Sequence, residues 1–210
     1  KPDQTTEDVP LGTVERTIVG WTGTGSELLV RTVARGERMV EGRSEDFYFR
    51  LTEMREANGA ALIRDYRYGE STGAEHPRWA EAKSTAQAEK YLENAGKADA
   101  KAQWVSPDGE WSLTTYRRSK MGTVENVRGT QYVCAVEQRL VLVSSAGRKA
   151  YVVENWTDEG NPASRREDAE CPRVAVRAWW HPGSSHWAVI RTVSLSGAQV
   201  RPPTVYAGAS

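Results

Sequence analysis

Trp104-Val105-Ser106-Pro107-Asp108-Gly109-Glu110-Trp111-Ser112-Leu113 sets a large apolar residue, a polar residue and a tight turn in front of a strand. Pro107 fixes φ at the start of the turn, Asp108 bonds back to the backbone, and Gly109 accepts positive φ. The order recurs twice. Upstream it reads Gly20-Trp21-Thr22-Gly23-Thr24-Gly25-Ser26-Glu27-Leu28-Leu29-Val30. Downstream it reads Trp179-Trp180-His181-Pro182-Gly183-Ser184-Ser185-His186-Trp187-Ala188-Val189-Ile190. Such a turn, repeated ahead of β-forming runs, predicts a mainly β chain of antiparallel units.

Working outward, residues 14–19 and 28–33 read as a hairpin across the first turn. Residues 34–45 are charged and hold Gly36 and Gly42, which predicts a solvated loop. Residues 47–52 and 61–66 read as a second hairpin about Asn58-Gly59. His76-Pro77 then opens a stretch rich in Ala, Glu and Lys that ends before Gly96. Its punctuation predicts the one helix, an insertion over 77–95 with Trp79, Ala82, Ala86, Tyr91 and Leu92 inward. The β pattern resumes at 104–117 and 133–136. A clear hairpin follows at 139–144 and 150–154, through Ala146-Gly147-Arg148. Residues 157–172 read as a long polar loop. A last unit runs from Val174 through Trp179-Trp180 to Val193. Residues 200–206 contain Pro202-Pro203 and form at most an edge strand, because proline cannot donate to a ladder. The expected organisation is an extended N-terminal arm, 1–13, and a single β-rich domain, 14–206. Its units fall at about 14–66, 101–156 and 174–206.

Ser106-Pro107-Asp108-Gly109-Glu110-Trp111 resembles the Ser-Pro-Asp-Gly turn in blades of TolB-like and tryptophan-aspartate-repeat propellers. The resemblance implies propeller-blade-like sheets. The other copies depart from it: Gly23-Thr24-Gly25 lacks Pro and Asp, and Pro182-Gly183-Ser184 lacks Asp. Three units also fall short of the ~4–8 blades of a closed propeller. The expectation is a partial propeller or an irregular sandwich; a different antiparallel domain sharing only the turn is the alternative. The overall plan is similar to small predicted secreted bacterial proteins of unknown function.

Composition bounds the function. Lys plus Arg and Asp plus Glu number 28 each in 210 residues, so bulk charge favours neither nucleic acid nor an anionic membrane. No apolar run reaches the ~18 residues of a membrane span. The chain begins at Lys1 with a polar stretch, from which we expect a processed, exported protein, secreted or held in the periplasm or cell envelope. Two cysteines in an exported chain permit one disulfide, and a Cys134–Cys171 bridge is expected. One buried and one loop thiol is the alternative. Neither cysteine has another at metal-ligand spacing.

Eight Trp and eight Tyr against two Phe is unusual usage. These rings pair an apolar body with a polar handle, suiting half-buried sheets or a sugar-stacking face. Trp179, Trp180, His181, His186 and Trp187 form a candidate binding platform; core packing is the plainer reading. The three histidines, His76, His181 and His186, lack carboxylate or Cys partners at ligand spacing, so no metal is expected. There is no nucleophile elbow or phosphate-cradling loop. Gly20-Trp21-Thr22-Gly23-Thr24-Gly25 lies between strands, where a dinucleotide site needs a following helix. No catalytic residue and no cofactor is therefore assigned. The expected function is a non-catalytic binding or assembly module of an envelope or surface complex, meeting a protein partner or another copy through sheet edges and terminal arms. The alternative is a carbohydrate- or peptidoglycan-related protein using the Trp platform.

Overall fold

The structure, a computed structural model, describes residues 12–22, 25–40, 43–56, 61–69, 74–83, 89–93, 99–127, 129–146, 149–183, 185–196 and 198–210. Nearly all of the expected arm, 1–13, lies outside these residues, as do the Asn58-Gly59 and Gly147-Arg148 corners. Packing divides the chain into two compact units, 1–85 and 86–210.

The first unit is one antiparallel meander, β1 (Gly12–Trp21), β2 (Glu27–Val40), β3 (Arg43–Glu56) and β4 (Ala61–Tyr68), followed by α1 (Pro77–Lys83). One face of this sheet is closed by α1, which lays Trp79 on Leu29 and Met54, with Val19 and Ile63 alongside. Arg78 reaches Glu27 (2.6 Å) and Arg31 reaches Glu75 (3.3 Å), pinning the segment around α1 to β2. Pro77 stands at the first helical position, where its missing N–H costs nothing. His76 Nδ1 accepts from the Arg78 N–H (3.3 Å), so this histidine works as a helix-start acceptor.

The second unit holds two further four-stranded antiparallel sheets. The meander β5 (Glu89–Glu93) to β12 is split between them. One sheet is β6 (Asp99–Val105), β7 (Trp111–Asn126), β8 (Gly129–Ser144) and β9 (Ala150–Glu159); the other has the order β12 (Ala198–Ala209), β11 (His186–Leu195), β10 (Arg173–Trp180), β5. They share one apolar core. Trp104, Leu113, Val136, Leu140 and Leu142 meet Val174, Val176, Trp180, Trp187 and Val189. Trp180 also donates its Nε1–H to the Trp104 carbonyl (3.3 Å), tying one sheet to the other. The chain is thus mainly antiparallel β, in three sheets.

Three expectations need correction. The helix does not extend over 77–95: it is described for Pro77–Lys83, residues 84–88 lie outside the described residues, and residues 89–93 form β5, which pairs with β10 from Glu89↔Trp179 to Glu93↔Ala175. Ala, Glu and Lys give only tenths of a kcal/mol of helix preference, which strand pairing overrides. Residues 34–40 and 43–45 are strand rather than loop, β2 and β3 pairing as far as Val40↔Arg43; residues 41 and 42 lie outside the described residues. Charge there reports the solvent exposure of side chains such as Arg35, Glu37 and Glu45, not the backbone state. The 157–172 stretch is strand to Glu159 and carries a short 3-10 helix (Arg166–Asp168). Pro202-Pro203 does sit on an edge strand, where the β11–β12 register slips between Arg191↔Thr204 and Val193↔Arg201.

Candidate functional site

The three turns seen in the sequence share one hydrogen-bond plan. Each joins the strand pairs β1–β2, β6–β7 or β10–β11. The N–H of the first turn residue donates to the carbonyl five residues on: Thr22 to Glu27 (3.0 Å), Ser106 to Trp111 (2.8 Å), His181 to His186 (2.8 Å). In the first two, the side-chain oxygen of that residue accepts the returning N–H, Glu27 to Thr22 (3.3 Å) and Trp111 to Ser106 (2.9 Å). Gly25 and Gly109 occupy the same place with φ of 75° and 77°, the left-handed region that favours glycine. Asp108 Oδ1 accepts from Ser106 Oγ–H (2.6 Å) and from the Glu110 N–H (2.9 Å). Replacing Ser106 by Ala removes the buried hydroxyl that accepts the part-buried Trp111 N–H at the base of an otherwise exposed turn. We expect a loss of about 1–3 kcal/mol, read as a lower urea midpoint; a change under roughly 0.5 kcal/mol, the ordinary surface-substitution range, would mean Pro107 and Gly109 alone set the turn.

His181 takes the place of Ser106 in the third turn. Its Nδ1 accepts from the Gly183 N–H (3.0 Å), and Ser185 Oγ lies 3.4 Å from it and 2.9 Å from His186 Nδ1. The two imidazoles meet edge to face at 6.2 Å. Burial, then the neighbouring His181, pushes the His186 pKa below its ordinary value. Trp179, Trp180 and Trp187 are all buried, so none offers a ring face for stacking. Trp180 and Trp187 belong to the shared core. Gly208 has no side chain because β12 passes against the Trp187 indole, 2.6 Å from where a Cβ would stand. Trp180 and Trp187 therefore close the core end of β10–β11, and Trp179 is buried on the opposite face of β10. Among the described residues, no group of three or more His, Cys, Asp or Glu is placed to hold a metal ion, and no helix is long and apolar enough to cross a membrane.

Two exposed features escaped the sequence reading. The first is on β4, which among the described residues pairs with β3 on one side only. Leu62, Tyr66 and Tyr68 are 48%, 51% and 74% exposed, and Phe49 packs between the two tyrosines at 5.9 and 5.4 Å. Of the strand's two arginines, Arg67 is held inward by Asp65 (2.9 Å) and the Ala74 carbonyl (2.6 Å), while Arg64 pairs with Glu53 (3.2 Å) and stays exposed on the same face as Leu62, Tyr66 and Tyr68.

The second is a cavity of about 890 Å³ on β7, β8 and β9. Strand alternation sends Leu113, Val136 and Leu140 into the core and the opposite set outward. Cross-strand register then builds two outward rows, Tyr116–Arg139–Asn155 and Arg118–Glu137–Thr157. Val141 and Val152 close one end. Arg139 Nε donates to Asn155 Oδ1 (3.0 Å). The sequence holds no local signal for these rows, since residues 113–118, Leu-Thr-Thr-Tyr-Arg-Arg, do not alternate apolar with polar. The chain matches no protein-family model, no curated protein and no solved structure.

Proposed function

We propose that this chain is an exported, non-catalytic binding and assembly module, docking a protein partner of the cell envelope or surface by strand addition along β4. The observation that carries this reading is the exposed aromatic face of the edge strand β4. Edge strands offer unpaired N–H and C=O groups, and proteins commonly blunt them with charge or proline. On β12 the Pro202-Pro203 pair and its register slip do that work. On β4 Arg67 is drawn into its own sheet and Arg64 has its charge matched by Glu53, so the exposed face presents Leu62, Tyr66 and Tyr68 around one neutralised arginine. An extended partner segment would supply the missing ladder bonds and bury alternate apolar side chains against these rings. The Cys134–Cys171 disulfide supports an oxidising compartment.

The test is the mass in solution of the protein isolated with its native partners retained. Tyr66→Lys with Tyr68→Lys should strip the partner while far-ultraviolet circular dichroism stays unchanged. A complex that survives both lysines would end the β4 reading. A species of twice the chain mass, abolished by the same lysines, would identify a second copy as the occupant.

A further inference from the structure

We infer that the cavity on β7–β9 is a binding site for an acidic sugar, a pyranose chain bearing carboxylates. The site is separate from the β4 edge and does not depend on it. Its volume, about 890 Å³, falls in the ~300–1,000 Å³ range of small-molecule sites. It is built on three hydrogen-bonded strands, which hold its side chains at fixed cross-strand spacing.

The lining chemistry selects the ligand. Tyr116 is 46% exposed and presents part of a flat ring, the surface on which the C–H face of a pyranose stacks. Around it stand donors and acceptors of both signs: Arg139 and Asn155 in the same row, Arg118, Glu137 and Thr157 in the next. A polyol offers hydroxyls that donate and accept, and so matches such a mixed set. A lipid tail would leave these groups unpaired. A purely anionic ligand would face Glu137 unfavourably.

The carboxylate follows from the cations. Arg118 and Glu137 sit opposite each other across β7 and β8, yet among the described residues neither makes an ion pair. Arg139 is diagonal to Arg118 across the same strands and spends its Nε on Asn155. The outward rows carry two guanidinium groups against one carboxylate, and Arg117 adds a third to the lining, so the site is cationic. A guanidinium fork matches a carboxylate in geometry as well as charge. In this arrangement Glu137 and Thr157 meet ring hydroxyls, while Arg118 and Arg139 meet the acid group.

Calorimetry with the full chain tests this, using a uronic-acid oligosaccharide, its carboxyl-reduced neutral counterpart and polyglutamate as probes. The acidic sugar should bind, the neutral one at least tenfold more weakly, and polyglutamate more weakly than either. Arg118→Gln should weaken the acidic sugar about tenfold and leave the neutral sugar unchanged. Tyr116→Ala should weaken both sugars alike. Lys120→Gln, an exposed cation beyond the cavity on the same strand, should alter neither. Polyglutamate matching the uronate would overturn the inference in favour of simple charge attraction. So would no binding by any probe, or equal loss from Lys120→Gln and Arg118→Gln.

Discussion

Replacing Asp158 by Asn is expected to destabilise the unit of residues 86–210 by about 3–5 kcal/mol, the cost of stranding one member of a buried ion pair. Asp158 on β9 pairs with the Arg191 guanidinium on β11, and both are buried between the two sheets. Arg191 Nε also donates to Gln138 Oε1 (3.0 Å), and its guanidinium lies 4.9 Å over the Trp156 ring. Burial pushes the Arg191 pKa down to about 10, Tyr206 opposing and Arg201 adding to the effect. That value still leaves the cation fully charged at neutral pH, so losing the carboxylate strands a buried charge that Gln138 and a ring face only partly satisfy. Arg201, 4.0 Å from the other Asp158 oxygen, is 74% exposed and cannot substitute; Arg201→Ala should change stability by less than about 0.5 kcal/mol. Chemical denaturation of the single variants and of Asp158→Leu with Arg191→Met separates the causes. The double variant should recover most of the loss, since apolar pairs of similar volume replace buried ion pairs at little cost. A single Asp158→Asn variant as stable as the parent would show that the pair is not what locks the sheets together.

What could be read beforehand follows from range. The turns were legible because their chemistry is local: Ser106, Asp108 and Gly109 bond within six residues of one another. The strands around them were legible for the same reason, and so was the edge position of Pro202-Pro203. Residues 89–93 were not, because their conformation is decided by β10, some 80 residues downstream. The Arg191–Asp158–Gln138 lock was invisible for the same cause: three polar residues on three strands carry no shared local signal. The Trp179, Trp180 and Trp187 cluster shows the limit of composition. Aromatic density marks a place where area is buried or offered, and for Trp180 and Trp187 only the packing of β6 and β12 against them decides for burial. Conversely, the β7–β9 rows join residues scattered over 116–157, and only the register brings Tyr116 beside Arg139 and Asn155.

Removing the Cys134–Cys171 bridge is expected to cost about 4 kcal/mol, comparable to the loss of the ion pair but through the unfolded chain. The two cysteines are 37 residues apart, and closing a loop of that length removes entropy from the denatured ensemble worth roughly that amount at 25 °C. Their Cα atoms are 4.8 Å apart in the fold. The segment between β9 and β10 is independently stitched to β8, through Gly160 N–H to the Cys134 carbonyl (2.9 Å) and the reciprocal Tyr132–Ala163 bonds (2.8 Å each). Gly160 is required there, since a Cβ would stand 2.0 Å from the Glu170 carbonyl oxygen. These contacts predict that a Cys134→Ala, Cys171→Ala variant still folds, with the same sheet content and a lower denaturant midpoint. Intact protein should weigh two hydrogens less than the reduced chain and resist alkylation until a reductant is added. If the entropic account is right, the loss should appear mainly as faster refolding of the bridged chain rather than slower unfolding, because the constraint acts on the denatured state. A midpoint unchanged on reduction would instead mean that the hydrogen bonds to β8 persist after unfolding and already hold the loop closed.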